Sequence, residues 1–203
     1  MWLPSSQAAG KPGPFALPFS EREPRLPFFF CPANIMLHTM NLPQRMKADL
    51  NNEAQMTRRL LARIPAAKLG FTPGHGLHTI GWNASHLVSV LGWVPGILNA
   101  PGLDVAEVDA ELIAATRAIE TDLTAMLITF DENLARSLEA LEVASDAQLD
   151  EPWTMSMGGQ VLFTMKKGEC LSKWVFGHTA HHRGVLSATL RLAGVEHASI
   201  YEE

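Results

Sequence analysis

Residues 171–192 read LSKWVFGHTAHHRGVLSATLRL, and the reading of this stretch decides the fold. Leu171, Trp174, Val175, Val185 and Leu192 recur at helical spacing, with Thr189 on the same stripe. His178 and His182 interrupt that stripe one turn apart. Residues four apart share a helix face, so both imidazoles are expected to point into the protein. Buried polar rings need partners. For neutral imidazoles converging on one point, the natural partner is a divalent metal.

Working back from this helix, which is expected over about Lys167–Ala193, two short β-prone runs flank Gly158-Gly159. They predict a hairpin. Gly194 follows the helix as a natural terminator. Upstream, Asp104 with Glu107 three residues on predicts a capping box and a helix reaching about Val143. Its expected core face is Leu112, Thr116, Ile119, Leu123, Met126, Phe130, Leu134, Leu138 and Leu141, close to a heptad seam that breaks at most once. Another helix, apolar on most sides, is expected from about Leu77 to Trp93, stopped by Pro95-Gly96. The first is expected over about Gln44–Ile64, with Leu50, Thr57, Leu60, Leu61 and Ile64 facing the core and Pro65 ending it. Four long amphipathic helices and a short hairpin before the last predict an all-α four-helix bundle.

The bundle is expected over residues 40–203. Residues 1–39 differ in kind, with seven of the thirteen prolines and five of the nine phenylalanines. Prolines at 4, 12, 14, 18, 24, 27 and 32 forbid a regular helix. Together with Glu21 and Glu23 they also spoil a secretory signal. The segment reads as a disordered extension, with Met36 or Met40 as the more natural start.

A net charge of −5 and no basic block longer than two residues exclude an ordinary nucleic-acid binder. Cys31 and Cys170 are too few for a disulfide framework or a cysteine zinc ribbon and suit a reducing cytoplasm. No apolar run approaches the roughly 20 residues of a membrane helix.

Of the eight histidines, one joins His178 and His182 on helical grounds. His86 lies midway along the second helix and shares its face with Trp82, Asn83, Val90 and Trp93. His38 lies in or beside the tail, His197 follows the last helix in a polar turn, and His75 and His78, in a loop and at a helix start, are expected to be solvated. His181 is rotated about 100° from His182 and could pair with His178 at i, i+3 spacing, but it and His182 cannot serve one site with His178 equally well. Three imidazoles from two helices leave at least one coordination position open. A zincin protease needs a glutamate after the first histidine, where this chain has Thr179. A di-iron carboxylate bundle needs a glutamate three residues before a histidine, where this chain has Asn83, Val175 and Thr179. Glu53 on the first helix is either a partner orienting a ligand histidine or a solvated residue. Trp82 and Trp93 either wall a pocket or fill core. Cys170 lies roughly 12 Å by helical rise from His178, too far to be a ligand.

These residues resemble a known family. His178-x-x-x-His182-Arg183-Gly184, the following Leu190-Arg191-Leu192-Ala193-Gly194-Val195, and Ile200-Tyr201 are similar to the DinB-like damage-inducible proteins. So are Thr57-Arg58-Arg59-Leu60-Leu61 with Ile64-Pro65, Thr79-Ile80-Gly81 with Ala84 and His86, Pro152-Trp153-Thr154, and Gly158-Gly159-Gln160-Val161-Leu162-Phe163. The likeness spans about Asp49 to Tyr201. It implies an up-down-down-up bundle, often a homodimer, that binds a divalent metal (zinc, nickel or iron) through three histidines, by position His86, His178 and His182. It also implies thiol-dependent chemistry: a low-molecular-weight thiol and an electrophile as small-molecule partners of an S-transferase. The alternatives are a non-catalytic stress-related metal-binding bundle and a metal-dependent hydrolase. Two departures stand out: Val185 occupies a position where the family often has Gln, and the chain ends at Glu203, where relatives often run on past the tyrosine.

Overall fold

The computed structural model describes residues 40–196. The extension expected over 1–39, with His38, and the segment 197–203, with His197, Ile200 and Tyr201, lie outside the described residues.

Helix α1 runs Leu42–Leu61. It starts earlier than its apolar spacing suggests because Asn41 and Gln44 form a capping box, the Asn41 side chain accepting from the Gln44 amide at 2.9 Å. The five core positions expected on this helix and just after it are buried, Ile64 beyond the helix end. Helix α2 spans Ile80–Leu91, not Leu77 onward, because the Thr79 hydroxyl caps it by accepting from the Trp82 amide at 3.0 Å. Pro95-Gly96 does not end it. The chain turns at Gly92 and continues as α3, Trp93–Asn99, with Pro95 in the first turn, where no backbone donor is missed.

The long third helix is corrected. Asp104 caps only a 3₁₀ turn, Val105–Glu107, and lies at the end of strand β1, Gly102–Asp104. Helix α4, Ala110–Ala118, is separate, capped by Asp109, and buries none of its residues. After a 3₁₀ turn at Ile119–Thr121, Asp122 caps α5, Leu123–Val143. The heptad seam is therefore core from Met126 onward, through Phe130, Leu134 and Leu141, whereas Leu112 is exposed. Each interruption coincides with an aspartate whose side chain accepts from the backbone two or three residues on.

A short helix, α6, Asp146–Leu149, leads to strands β2, Pro152–Met157, and β3, Gln160–Lys166. They form the expected hairpin, with Gly158 and Gly159 at φ of +57° and +79°. Two successive positive φ values are what a two-residue hairpin turn requires of its glycines. Strand β1 adds to β2 in parallel, giving a three-stranded sheet in the order β1-β2-β3.

The Asp104 carboxylate locks this sheet. It accepts from the amides of Gly159 (2.6 Å), Gly158 (2.8 Å) and Ala106 (2.9 Å) and from the Ser156 hydroxyl (3.0 Å). The Gly159 amide does most to hold its pKa down at about 2. The stabilisation is present above the ordinary carboxylate range and is lost as pH falls toward 2. Asp104→Ala is expected to speed hydrogen exchange at the Gly158 and Gly159 amides while helix content stays constant. Unchanged exchange would mean that the turn holds without this carboxylate.

The last helix is continuous but not uniform: α7, Lys167–Leu171, a π-helical turn, Ser172–Gly177, and α8, His178–Leu192. A π turn holds more residues than an α turn. Leu171, Val175 and Thr189 are buried within and on both sides of that turn, as the stripe predicts, and Leu186 and Leu190 join them, whereas Val185 is half-buried and Leu192 is 67% exposed. Arg183, beside His182, is buried as well.

Cross-helix contacts give the directions. Lys47 pairs with Glu142 and Arg58 with Asp131, so α1 and α5 are antiparallel. Asn133 donates to the Val88 carbonyl and Ser137 to the Leu91 carbonyl, so α2 and α5 run parallel. Asn83 meets His182 and His86 meets His178, so α2 and α8 are antiparallel. The order is up-down-down-up. Parallel neighbours cannot be joined by a tight loop, and residues 92–122, including α3, β1 and α4, form the crossover between α2 and α5. Phe130, Leu60, Leu61, Leu87, Leu141 and Leu186 fill the core.

Candidate metal centre

His86 projects from the middle of α2 toward the start of α8, where His178 and His182 stand one turn apart. All three rings are half-buried, at the rim of the core rather than within it. Their Nε2 atoms converge: His182 to His178 at 2.8 Å and His86 to His178 at 3.2 Å. One ligand atom from each lies within 4.8 Å of the others, and these three are the group of this kind among the described residues.

Three lone pairs at such distances repel unless a proton or a cation lies between them. Metal–imidazole bonds of about 2.0–2.1 Å place ligand nitrogens about 2.9 Å apart at right angles and about 3.3 Å apart in a tetrahedron. The separations from His178 to His182 and to His86 fall in or beside that range, and the His86–His182 pair lies within 4.8 Å, so the donor set fits a divalent cation. Burial pushes the His86 and His182 pKa values down to about 4, and neighbouring imidazoles add to the effect. His178 is lowered as well, chiefly by burial and then by His181. The rings are thus neutral at pH 7, the protonation state that ligates metal.

Asn83 sets the tautomer of His182. Its Nδ2 donates to the Thr79 carbonyl at 3.0 Å, which turns Oδ1 toward His182 Nδ1 at 3.3 Å. A proton held on Nδ1 leaves Nε2 bare. The sequence placed Asn83 on the His86 face and gave it no role beyond that of a missing glutamate. Its buried place one turn before His86 on an apolar helix was the available signal. Partners of this kind contribute about 10–100-fold to metal affinity. Asn83→Ala is expected to weaken metal binding by a factor in that range, measured by competition with a chromophoric chelator. An unchanged constant would assign Asn83 to helix structure alone.

Three indoles surround the rings. Trp82 stacks on His86 with centroids 4.8 Å apart, Trp93 meets His86 and His178 edge-on at 5.9 and 5.7 Å, and Trp174 meets His178 at 6.0 Å. Trp82 and Trp93 therefore both touch the cluster and line a cleft beside it. His78, expected to be simply solvated, stacks on the other face of Trp82 at 3.6 Å. His75 is exposed, and His181 is exposed with its edge on the His182 ring.

Glu53 neither orients a histidine nor sits free in solvent. It accepts from Arg183 Nη1 at 2.6 Å, and the same nitrogen lies 3.3 Å from the Glu53 carbonyl and from the Thr57 hydroxyl. Sequence reasoning missed this pair because the packing of α8 on α1 that buries Arg183 has no local signature. Cys170 is buried, and burial raises its thiol to about 11, so it supplies no thiolate at neutral pH.

No helix among the described residues is long and apolar enough to cross a membrane. No curated protein matches the chain. A crystal structure of a DinB-like protein from Bacillus cereus is similar to it, with a TM-score of 0.56 at 19% identity, over 77% of this chain and 95% of that one. That likeness is one of fold. The DinB superfamily profile matches residues 49–186, a span that holds all three histidines and most of the bundle. The chain belongs to the DinB superfamily.

Proposed function

We propose that His86, His178 and His182 hold a divalent metal, zinc, nickel or iron, and that the protein is a metal-dependent S-transferase using a low-molecular-weight thiol. The convergence of three neutral Nε2 atoms, with no carboxylate in the group, carries this reading. Neutral ligands leave a bound cation's charge uncompensated. When bound, the cation supplies the positive field that keeps a thiol deprotonated at neutral pH.

The chain's own residues do the rest. Asn83 and the indole walls hold the rings in place, which limits reorganisation during the reaction. The half-exposed rim lets the thiol proton pass to water. The thiolate sulfur then forms a bond to the electrophilic carbon as the leaving group departs with its electron pair. A hydrolase would need a general base. Thr179 occupies the position of the zincin glutamate, and the nearby Glu53 is committed to Arg183. The thiol reading is therefore favoured over hydrolysis.

The test is conjugation of a generic electrophile by metal-loaded protein with bacillithiol, mycothiol, glutathione and coenzyme A. Turnover with one of them, lost in His178→Ala, is the expected result. Inactivity with all four in fully loaded protein would leave a non-catalytic metal-binding bundle, and activity without thiol would indicate a hydrolase. The reading includes a homodimer, which sedimentation would test.

A further inference from the structure

The crossover helix α4 has a feature that its packing does not explain. It is nine residues long and buries none of them, yet it carries Leu112 and Ile113, 62% and 43% exposed. A helix this short is marginal without tertiary support. Both residues face a cleft of about 270 Å³ whose opposite wall is Trp82, His86 and Trp93. The cleft is thus continuous with the histidine cluster through His86 itself. Two charged residues also line it, Arg117 and Glu120. No ion pair joins them, and Arg117 has no hydrogen-bond or ion-pair partner among the described residues.

Apolar walls, an open path to the candidate metal and an unpaired guanidinium are the marks of a small-molecule pocket with one orienting polar group. We propose that the cleft between α2 and α4 binds the organic body of the electrophilic substrate, an apolar skeleton bearing a carboxylate. The skeleton lies between Trp93 and the Leu112–Ile113 face, and the carboxylate lies on Arg117. Glu120 opposes an anion, but the paired hydrogen bonds that Arg117 offers a carboxylate outweigh it. The proposal rests on the S-transferase reading for what becomes of the molecule, not for its binding. A guanidinium recognises a carboxylate through paired hydrogen bonds that a neutral alcohol does not offer. Arg117 is thereby the specificity-determining residue, and Leu112 supplies apolar contact.

The test uses the full chain, stripped of metal with a chelator so that a carboxylate cannot report metal binding. Octanoate and octanol are titrated by tryptophan fluorescence and calorimetry. Wild type is expected to bind octanoate about tenfold more tightly than octanol. Arg117→Gln should erase that advantage and leave octanol unchanged, Leu112→Asp should weaken both ligands about tenfold, and Glu120→Gln should tighten octanoate. Because α4 buries nothing, these variants should keep wild-type helix content and metal content. Octanoate affinity unchanged in both Arg117→Gln and Leu112→Asp would overturn the proposal. Weaker octanoate binding in Glu120→Gln would overturn the placement of the anion in this cleft. If Leu112→Asp instead dissociates a dimer without affecting octanoate, the apolar face belongs to a second copy and the proposal fails. No thiol is present in these titrations, so their failure is distinct from a failure of S-transfer.

Discussion

His182→Ala is expected to lower metal affinity by at least about 100-fold, more than the roughly 10–100-fold typical of losing an outer partner. His182 supplies one of three converging nitrogens and is the ring that Asn83 orients. Elemental analysis of untagged protein, wild type against variant, is the direct measurement. Quenching of Trp82, Trp93 and Trp174 fluorescence by added nickel is the independent one, since all three indoles lie within 6.0 Å of a histidine ring. Equal, near-zero metal in both proteins would remove the centre. The pH dependence should be unusual too. An ordinary imidazole is about 90% protonated at pH 5.5 and loses metal there. With His86 and His182 held near 4, wild type should still take up metal at that pH. The sign for stability follows from the same depression. The fold disfavours the charged rings, so their contribution is intact above about pH 6.5 and declines as pH drops toward 4, where the folded rings also bind protons.

Glu53→Ala should cost about 3 kcal/mol of stability, because it strands a buried guanidinium. The Arg183 side chain is 4% exposed and would keep only the Glu53 carbonyl and the Thr57 hydroxyl, each at 3.3 Å. For a domain of this size the loss corresponds to roughly 6–12 °C in melting temperature. Replacing both partners with apolar residues, Glu53→Leu with Arg183→Met, should recover most of it, since neither charge is then stranded. Metal affinity at the histidines should stay near wild type in the double variant. A melting temperature within a degree of wild type in Glu53→Ala would show that Arg183 is solvated after all. A fall in metal affinity with no loss of stability would make Glu53 an orienting partner of the centre.

Much of the bundle was legible because it is written in local pattern. Leu50, Thr57, Leu60 and Leu61 mark one face of α1, the seam from Met126 to Leu141 marks α5, and Gly158-Gly159 marks the hairpin. Strand β1 was not legible. Three residues carry no usable period, and Gly102–Asp104 becomes a strand only because β2 offers it a parallel edge. The break between α4 and α5 was misread for a related reason. Leu112 and Thr116 continue the heptad spacing, but the spacing does not say what they face, and they face a cleft.

The core-facing helices α1, α2 and α8, the hairpin and the candidate histidines are written in the sequence, because helical period, turn chemistry and residue type act over a few neighbouring positions. Tertiary structure decided the rest. The packing of α8 set Arg183 against Glu53 and left His178 and His182 at the rim, in reach of His86 and Asn83. Such placement is set by how α8 packs on α1 and α2 together, and no stretch of a single helix records it.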